Sequence, residues 1–239
     1  MLPSMYSIRY KIVFIVLALS LLWLLLRMLP GSQVPTDEAE MVVAKKQHIQ
    51  APTEPPVTPV EVAVFYEALC PDSRSFVLKQ LLPTFEKVPR LVTIKLIPYG
   101  KAKTNSVGTG YTFTCQHGPI ECEANKIHAC AIATVRDTET LLRYIGCMID
   151  DNLNPSEVGQ KCAEDWKVDW KAVYACAMGP EGEKLLKQHG DSTFALRPGV
   201  SFIPTVLLGK SQDKQPAILK NLLKEVCSKF KDQSVKECM

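Results

Sequence analysis

The 239-residue sequence predicts an α/β fold, in which strands and helices alternate along one sheet. Two patterns support this prediction. Short segments with β-branched and aromatic residues alternate with longer segments whose apolar residues recur at helical spacing. Between residues 60 and 230 the predicted order is strand, helix, strand, helical insert, strand and helix. Apolar residues make up 46% of the chain and charged residues 22%, which excludes a wholly disordered or polytopic membrane protein.

The first strand and helix are predicted from residue 60 onward. Val60–Tyr66 alternates in polarity and contains three valines, as a strand does. A helix begins near Pro71, because a proline lacks an N–H group and fits the first helical turn. Its later apolar residues lie at helical spacing, and Pro83 should end or bend it. Residues 91–97 form the second predicted strand.

An insert at about residues 104–196 follows the second strand. Residues 104–118 are rich in glycine and threonine and are predicted to be irregular. Residues 121–178 are predicted to be helical, with one long stretch of alanines, charges and spaced apolar residues at 155–177.

The last strand and helix complete the predicted sheet. The third strand is predicted at residues 202–208 and is entered through Pro204. Residues 219–230 carry leucines, a valine and a phenylalanine on one face, which predicts a final helix. The folded domain is therefore predicted to cover residues 60–239.

The N-terminus carries an unbroken run of apolar or small residues at positions 12–26, with basic residues on both sides. A basic segment before an apolar stretch is typical of a secretory signal. Residues 1–30 are therefore predicted to be a signal peptide or an uncleaved signal-anchor, and only residues 12–29 would contact a membrane. The uncleaved case would give a single-pass type II membrane protein. Both cases place the remainder in the secretory pathway lumen, in a lysosome or endosome, or outside the cell.

The composition predicts a linker at residues 31–59, and the charge balance argues against a nucleic acid as a partner. Residues 31–59 are rich in Pro, Thr, Glu and Gln and are predicted to form a flexible stem. Apart from Arg9, Lys11 and Arg27, the chain carries as many basic residues as acidic ones. No clustered basic excess is visible, so a nucleic acid is not expected as a partner.

The nine cysteines all follow residue 69. In an oxidising compartment such a cluster favours a disulfide framework. Eight cysteines can form four bridges, which leaves one thiol, although parity does not identify it. The eight that follow Cys70 are Cys115, Cys122, Cys130, Cys147, Cys162, Cys176, Cys227 and Cys238.

Cys70 lies where the first predicted strand leads into a helix. Unpaired backbone N–H groups and the positive end of the helix dipole stabilise an anion at that position. The thiolate is the reactive form of cysteine, so Cys70 is the candidate nucleophile. The alternative is a structural half-cystine at the start of the helix.

The segment that begins at Cys115 reads Cys-Gln-His-Gly-Pro-Ile-Glu-Cys-Glu-Ala-Asn-Lys-Ile-His-Ala-Cys and ends at Cys130. It closely resembles the signature of the gamma-interferon-inducible lysosomal thiol reductase family. The resemblance implies a thioredoxin-like fold with a helical, disulfide-bearing insert. It also implies thiol–disulfide chemistry on protein substrates in acidic endolysosomal compartments. In that fold the proline before the third strand, here Pro204, is cis and faces the active-site cysteine.

The sequence departs from the family at the active site, where the family has Cys-x-x-Cys and this chain has Cys70-Pro71-Asp72-Ser73. A dithiol reduces a disulfide in two steps, and the second thiol resolves the mixed disulfide that the first one forms. Ser73 cannot resolve it. The hydroxyl either donates a hydrogen bond to the Cys70 thiolate or is a solvated residue of the first turn.

The functional hypothesis is a thiol–disulfide oxidoreductase with Cys70 as its single nucleophile and Ser73 and Pro204 as further site residues. Disulfide-bonded proteins are the expected substrates, and a small thiol such as glutathione or cysteine is the expected reductant, with no bound cofactor. The first alternative is a binding module that retains client proteins as mixed disulfides. The second is a family relic with a structural or immune-interaction role.

A zinc site is a weaker alternative for the segment that carries the family signature. Cys115, His117, Cys122, His128 and Cys130 lie close together, but their spacings are untypical of common zinc motifs. No metal site is therefore predicted. His117 and His128 are interpreted as loop or packing residues.

Overall fold

The computed structural model describes residues 57–230 and 235–238, together with Leu17, Leu19, Ser20 and Trp23. The chain divides into two compact units, Met1–Glu54 and Pro55–Met239. The four described residues of the first unit are helical. Among the described residues, no helix has the length and apolarity needed to cross a membrane. The rest of the predicted signal or anchor segment, and nearly all of the predicted stem, lie outside the described residues.

The second unit has a three-stranded sheet with the order β2-β1-β5. The central strand is β1 (Val60–Tyr66), which runs parallel to β2 (Val92–Pro98) and antiparallel to β5 (Thr205–Leu208). β1 is fully buried at Val62, Val64 and Tyr66, in the main hydrophobic core. The α/β class predicted from the sequence is thus confirmed.

A nearly continuous helical segment connects β1 to β2. It comprises α1 (Pro71–Phe76), a π-helical turn (Val77–Leu81) and α2 (Leu82–Lys87). The helix does not end at Pro83. The π turn directly before Pro83 changes the hydrogen-bonding register, which accommodates a residue that has no N–H to donate.

Five helices make up the insert, and they follow a hairpin. They are α3 (Pro119–Thr134), α4 (Thr138–Asp150), α5 (Pro155–Trp166), α6 (Trp170–Met178) and α7 (Pro180–Phe194). The first, α3, packs against β2, α6 and α7. The predicted stretch at 155–177 is divided between α5 and α6. Lys167 adopts a left-handed conformation, and the Asp169 side chain caps α6 by accepting a hydrogen bond from the Ala172 N–H at 3.1 Å.

The prediction that residues 104–118 are irregular is wrong. They contain most of an antiparallel hairpin formed by β3 (Lys103–Val107) and β4 (Gly110–Thr114). The turn has two residues, and Gly108 adopts a positive φ of 57°, which a hairpin of this length requires. The threonines and aromatic residues of β4 have strand propensity and alternate in burial, whereas β3 is mostly polar and exposed.

The C-terminal part of the chain also differs from the prediction. The third strand is shorter than expected, because Phe202 and Ile203 precede β5. The predicted final helix is divided into α8 (Gln215–Lys220) and α9 (Leu222–Cys227). Asn221 lies between them, and its side chain caps α9 by accepting a hydrogen bond from the Lys224 N–H at 3.0 Å.

Candidate active site

Strand pairing brings the residues after β1 and those before β5 to the same edge of the sheet. Phe65 pairs with Thr205, so the end of β1 lies opposite the beginning of the antiparallel β5. Cys70 follows the first of these ends, and Pro204 immediately precedes the second. The Ile203–Pro204 peptide bond is cis, and the Cys70 thiol donates a hydrogen bond to the Ile203 carbonyl at 3.9 Å.

Cys70 is the N-cap residue of α1. Its carbonyl accepts a hydrogen bond from the Arg74 N–H at 3.0 Å, and its own N–H donates to the Glu67 carbonyl at 3.3 Å. The N–H groups of the first turn have no partner within the helix. Cys70 therefore lies at the end of α1 that carries the unpaired N–H groups.

Cys70 is the one unbridged cysteine of the chain. It is buried but keeps 8% of its surface exposed. A groove of about 290 Å³ lies beside it, and its lining includes Ile203, whose carbonyl accepts the hydrogen bond from the thiol. The lining also includes Asp72, Phe76, Lys79, Phe202 and Pro204. The groove therefore presents both apolar and charged side chains, and Ile203 connects it to the sulfur.

Ser73 is fully buried, so the interpretation of this residue as a solvated one is wrong. Its Oγ accepts a hydrogen bond from the Glu67 N–H at 3.3 Å. Within the described part of the chain, it forms no hydrogen bond with Cys70. The reason is that the loop after β1 turns back over the start of α1, which directs a backbone N–H group of the loop toward the serine.

Two asparagines hold the loop that precedes Cys70. The Asn125 Oδ1 accepts a hydrogen bond from the Ala68 N–H at 2.9 Å, and the Asn152 Nδ2 donates to the Ala68 carbonyl at 3.0 Å. Asn125 belongs to α3, and Asn152 follows α4, so the helical insert fixes the backbone of the loop. Sequence analysis gave neither asparagine a role, although Asn125 is part of the signature.

Two carboxylates and an imidazole form a cluster on the other side of this loop. The His117 Nδ1 lies 2.6 Å from the Glu121 Oε2 and 3.4 Å from the Glu67 Oε2. Both glutamates are fully buried. Burial raises the pKa of Glu67, and the Glu121 carboxylate raises it further, against the lowering effect of the hydrogen bond from the Lys101 N–H. His117 lies in the turn before α3, as the interpretation as a loop residue predicts, and its ring also contacts both carboxylates.

The remaining eight cysteines form four disulfides. These are Cys115–Cys122, Cys130–Cys176, Cys147–Cys162 and Cys227–Cys238. The zinc alternative is therefore wrong, because its three cysteines are oxidised and have no thiolate to offer. His128 is a packing residue, as interpreted. It is fully buried in α3, and the Tyr66 hydroxyl donates to its Nδ1 at 3.0 Å when the ring is neutral.

Comparisons with known proteins identify the family. The profile of the Gamma interferon inducible lysosomal thiol reductase (GILT) family matches residues 61–166. A gamma-interferon-inducible lysosomal thiol reductase-like protein of Anopheles gambiae is 34% identical over 197 residues, which cover 75% of this chain and 80% of that protein. The chain belongs to the GILT family. The gamma-interferon-inducible lysosomal thiol reductase of Mus musculus is 30% identical over 195 residues, which cover 77% of this chain and 78% of that protein.

This chain is also similar to a solved structure in its fold. The crystal structure of Chlamydia trachomatis DsbA matches with a TM-score of 0.52 and 15% sequence identity, and the match covers 76% of this chain and 92% of that one. At this identity the similarity concerns the fold alone. Together with membership of the GILT family, the unbridged Cys70 at a helix N-terminus supports thiol–disulfide oxidoreductase chemistry.

Proposed function

We propose that this GILT-family protein reduces or isomerises disulfides of protein substrates through Cys70 alone, with a small external thiol required for turnover. The observation that carries the proposal is the position of the unbridged sulfur. Cys70 begins a helix, and its thiol contacts the residue before the cis proline at one edge of the sheet. The nearby groove has room for a substrate side chain.

The reaction begins when the Cys70 thiolate attacks one sulfur of a substrate disulfide. A Cys70–substrate disulfide forms, the substrate S–S bond breaks, and the first substrate thiolate leaves. A small thiolate, such as that of glutathione or cysteine, then attacks Cys70 Sγ and releases the second substrate thiolate. A second small thiolate attacks the resulting mixed disulfide, which regenerates Cys70 and yields the oxidised small thiol.

An external thiol is required because the protein has no second thiol of its own. The eight other cysteines are all bridged, and the position three residues after Cys70 is a serine. Pro204 contributes by its position, since it and Ile203 form one wall of the groove beside the sulfur. The proposed role of Ser73 is to hold the loop before Cys70 through its hydrogen bond with the Glu67 N–H.

The proposed location is the lumen of the secretory pathway, a lysosome or endosome, or the exterior of the cell. Four disulfides in a chain of this size suit an oxidising compartment. The names of the relatives in Anopheles gambiae and Mus musculus include the word lysosomal, which supports the same proposal.

The test is the reduction of a denatured, disulfide-bonded protein by glutathione, at acidic and at neutral pH. We expect the full chain to accelerate the reaction and Cys70→Ala to return it to the rate of glutathione alone. Ser192→Ala is the control, because Ser192 is exposed in α7 and bonds only within its own helix. Acceleration that survives in Cys70→Ala, or an inactive full chain, would contradict the proposal.

A single-turnover experiment with Ser73→Cys tests the need for an external thiol. Without added thiol, the reduced wild type should stop at the mixed disulfide. Ser73→Cys should release the fully reduced substrate and form a disulfide between Cys70 and the introduced cysteine, because the new thiol lies in the resolving position. Ser192→Cys adds a thiol elsewhere and should behave as the wild type. Release of substrate by the wild type without added thiol would refute the single-cysteine mechanism.

The lack of a second thiol also fits a second candidate function, in which Cys70 retains client proteins as mixed disulfides. Non-reducing gels after rapid alkylation distinguish the two. Adducts that persist in the presence of glutathione and disappear in Cys70→Ala, without catalysed reduction, would favour retention. Adducts that glutathione resolves, together with turnover, would favour the oxidoreductase.

A further inference from the structure

The cluster of Glu67, His117 and Glu121 has one feature that protein contacts leave unexplained. Each residue directs one potential ligand atom into the cluster, and these atoms all lie within 4.8 Å of one another. The Glu67 Oε2 is buried and accepts no hydrogen bond. A buried carboxylate oxygen that accepts no hydrogen bond is unfavourable, so this atom indicates a missing ligand.

The two carboxylates are held in the same way. The Glu67 Oε1 accepts a hydrogen bond from the Lys101 N–H at 2.7 Å, and the Glu121 Oε1 accepts one from the His117 N–H at 3.1 Å. Backbone groups thus fix one oxygen of each carboxylate, and the other oxygen points toward the His117 Nδ1. Metal-binding carboxylates are oriented by such outer hydrogen bonds.

The geometry around the Glu67 Oε2 suits a shared cation. The His117 Nδ1 lies 2.6 Å from the Glu121 Oε2 and 3.4 Å from the Glu67 Oε2, and no hydrogen bond reaches the Glu67 oxygen. A divalent cation accepts a lone pair from each of these three groups.

We propose that Glu67, His117 and Glu121 bind one divalent transition-metal ion of the zinc class. One imidazole and two carboxylates form a known kind of donor set for such ions, and they leave further coordination positions to water. Metal–ligand bonds of about 2.0–2.1 Å separate two tetrahedral ligands by roughly 3.3 Å. The 3.4 Å between the His117 Nδ1 and the Glu67 Oε2 agrees with that value.

Binding requires a small movement of His117 rather than of Glu67. The 2.6 Å between the His117 Nδ1 and the Glu121 Oε2 must widen by roughly 0.7 Å to suit two ligands of one ion. The His117 side chain is 30% exposed and has space to move. Glu67 is fixed, because its side chain packs directly over Gly100, where even a Cβ atom would overlap it. The partial exposure of His117 also gives an ion access from solvent.

The site is independent of the thiol chemistry but adjacent to it. Its ligands do not include Cys70, whose N–H is held by the Glu67 carbonyl. An ion bound here would therefore fix the loop that carries the nucleophile. Failure of the oxidoreductase proposal would leave the metal proposal unaffected, and the reverse also holds.

The experiment is a calorimetric titration of the oxidised, metal-stripped full chain with Zn²⁺ at pH 7. We expect one ion per chain. The affinity should fall at least about tenfold in Glu121→Gln and in His117→Gln, because each change removes a ligand. Glutamine at 121 keeps a carbonyl oxygen for the His117 N–H, and His117 is partly exposed, so both variants should retain the wild-type circular dichroism spectrum.

Two controls separate this site from other sources of zinc binding. Cys70→Ser should bind Zn²⁺ as the wild type does, because the thiol is not a ligand. Glu181→Gln should also leave binding unchanged, because Glu181 is an exposed carboxylate in the first turn of α7, outside the cluster. The proposal is overturned if the wild type does not bind, if Cys70→Ser abolishes binding, or if folded Glu121→Gln and His117→Gln bind as tightly as the wild type.

Discussion

The loop between β1 and α1 and the helical insert use the same residue type in opposite ways. The loop carries one cysteine, which is unbridged and begins a helix. The insert and the turn that leads into it carry six cysteines, all of them bridged. Cys130–Cys176 joins α3 to α6, and Cys147–Cys162 joins α4 to α5. The insert is thus cross-linked internally, while its asparagines hold the loop through hydrogen bonds and leave the sulfur of Cys70 free.

The two regions therefore differ in what keeps a cysteine bridged or unbridged. In the insert, helices packed side by side bring pairs of sulfurs within bonding distance. Cys70 has a carbonyl oxygen as its hydrogen-bonding neighbour, with which no disulfide can form. Because the other eight sulfurs are bridged, only the Cys70 sulfur is available as a nucleophile.

The largest expected difference between the two regions is in alkylation of the native protein. Iodoacetamide in the absence of reductant should add to one cysteine of the full chain, because a bridged sulfur has no thiolate to react. Intact-mass spectrometry should show a single adduct on the wild type and none on Cys70→Ala. Two or more adducts on the wild type would contradict the assignment of four disulfides.

Removal of a long-range bridge of the insert should have the largest effect on stability. Cys130 and Cys176 are 46 residues apart, so replacement of both by alanine should lower the free energy of unfolding by about 4 kcal/mol. The matched double variant at Cys115 and Cys122, which are 7 residues apart, should lower it by about 2 kcal/mol. Denaturant unfolding measures both values, and the reverse order would refute a loop-length origin.

A smaller effect is expected at the contact between His128 of α3 and Tyr66 of β1. Burial lowers the pKa of His128 to about 3, from about 6.5 in the unfolded chain. Between these values the unfolded state binds more protons, so stability falls as the pH falls below about 6.5. This residue alone should cost about 2 kcal/mol between pH 7 and pH 5.

His128→Gln tests this effect, because the glutamine carbonyl can still accept the hydrogen bond from the Tyr66 hydroxyl. The difference in unfolding free energy between pH 7 and pH 5 should shrink by that amount in the variant. Equal pH dependence in the wild type and in His128→Gln would show that the histidine does not stay neutral in the folded protein.

The smallest effect is expected from an exposed ion pair that joins the two regions. Arg74 in α1 pairs with Asp150 at the end of α4 at 2.6 Å, and both side chains are about half exposed. Because such pairs contribute little in water, Arg74→Gln should change the free energy of unfolding by less than about 1 kcal/mol. A loss well above that value would mean that this contact, in addition to the asparagines, holds the loop region to the insert.

Local patterns predicted the elements near the candidate site better than those of the insert. The predicted bounds of β1 coincide with the observed ones, because its alternation and valines are local signals. The β3–β4 hairpin was missed, because most residues of β3 are polar and exposed, and the alternation of aromatic residues and threonines in β4 is short. The interpretation of Ser73 as a solvated residue was also wrong, since a residue of the first turn is buried here by a loop that folds back over it.

Three features follow from the amino-acid sequence alone: the strand–loop–helix unit that carries Cys70, the odd number of cysteines and the signature of the family. Each of these is a property of neighbouring residues or of composition. Tertiary structure decided which eight cysteines pair, that Pro204 lies beside Cys70, and that Glu67 meets His117 and Glu121. These contacts join residues far apart in the chain, and they depend on strand register and helix packing, which no local pattern specifies.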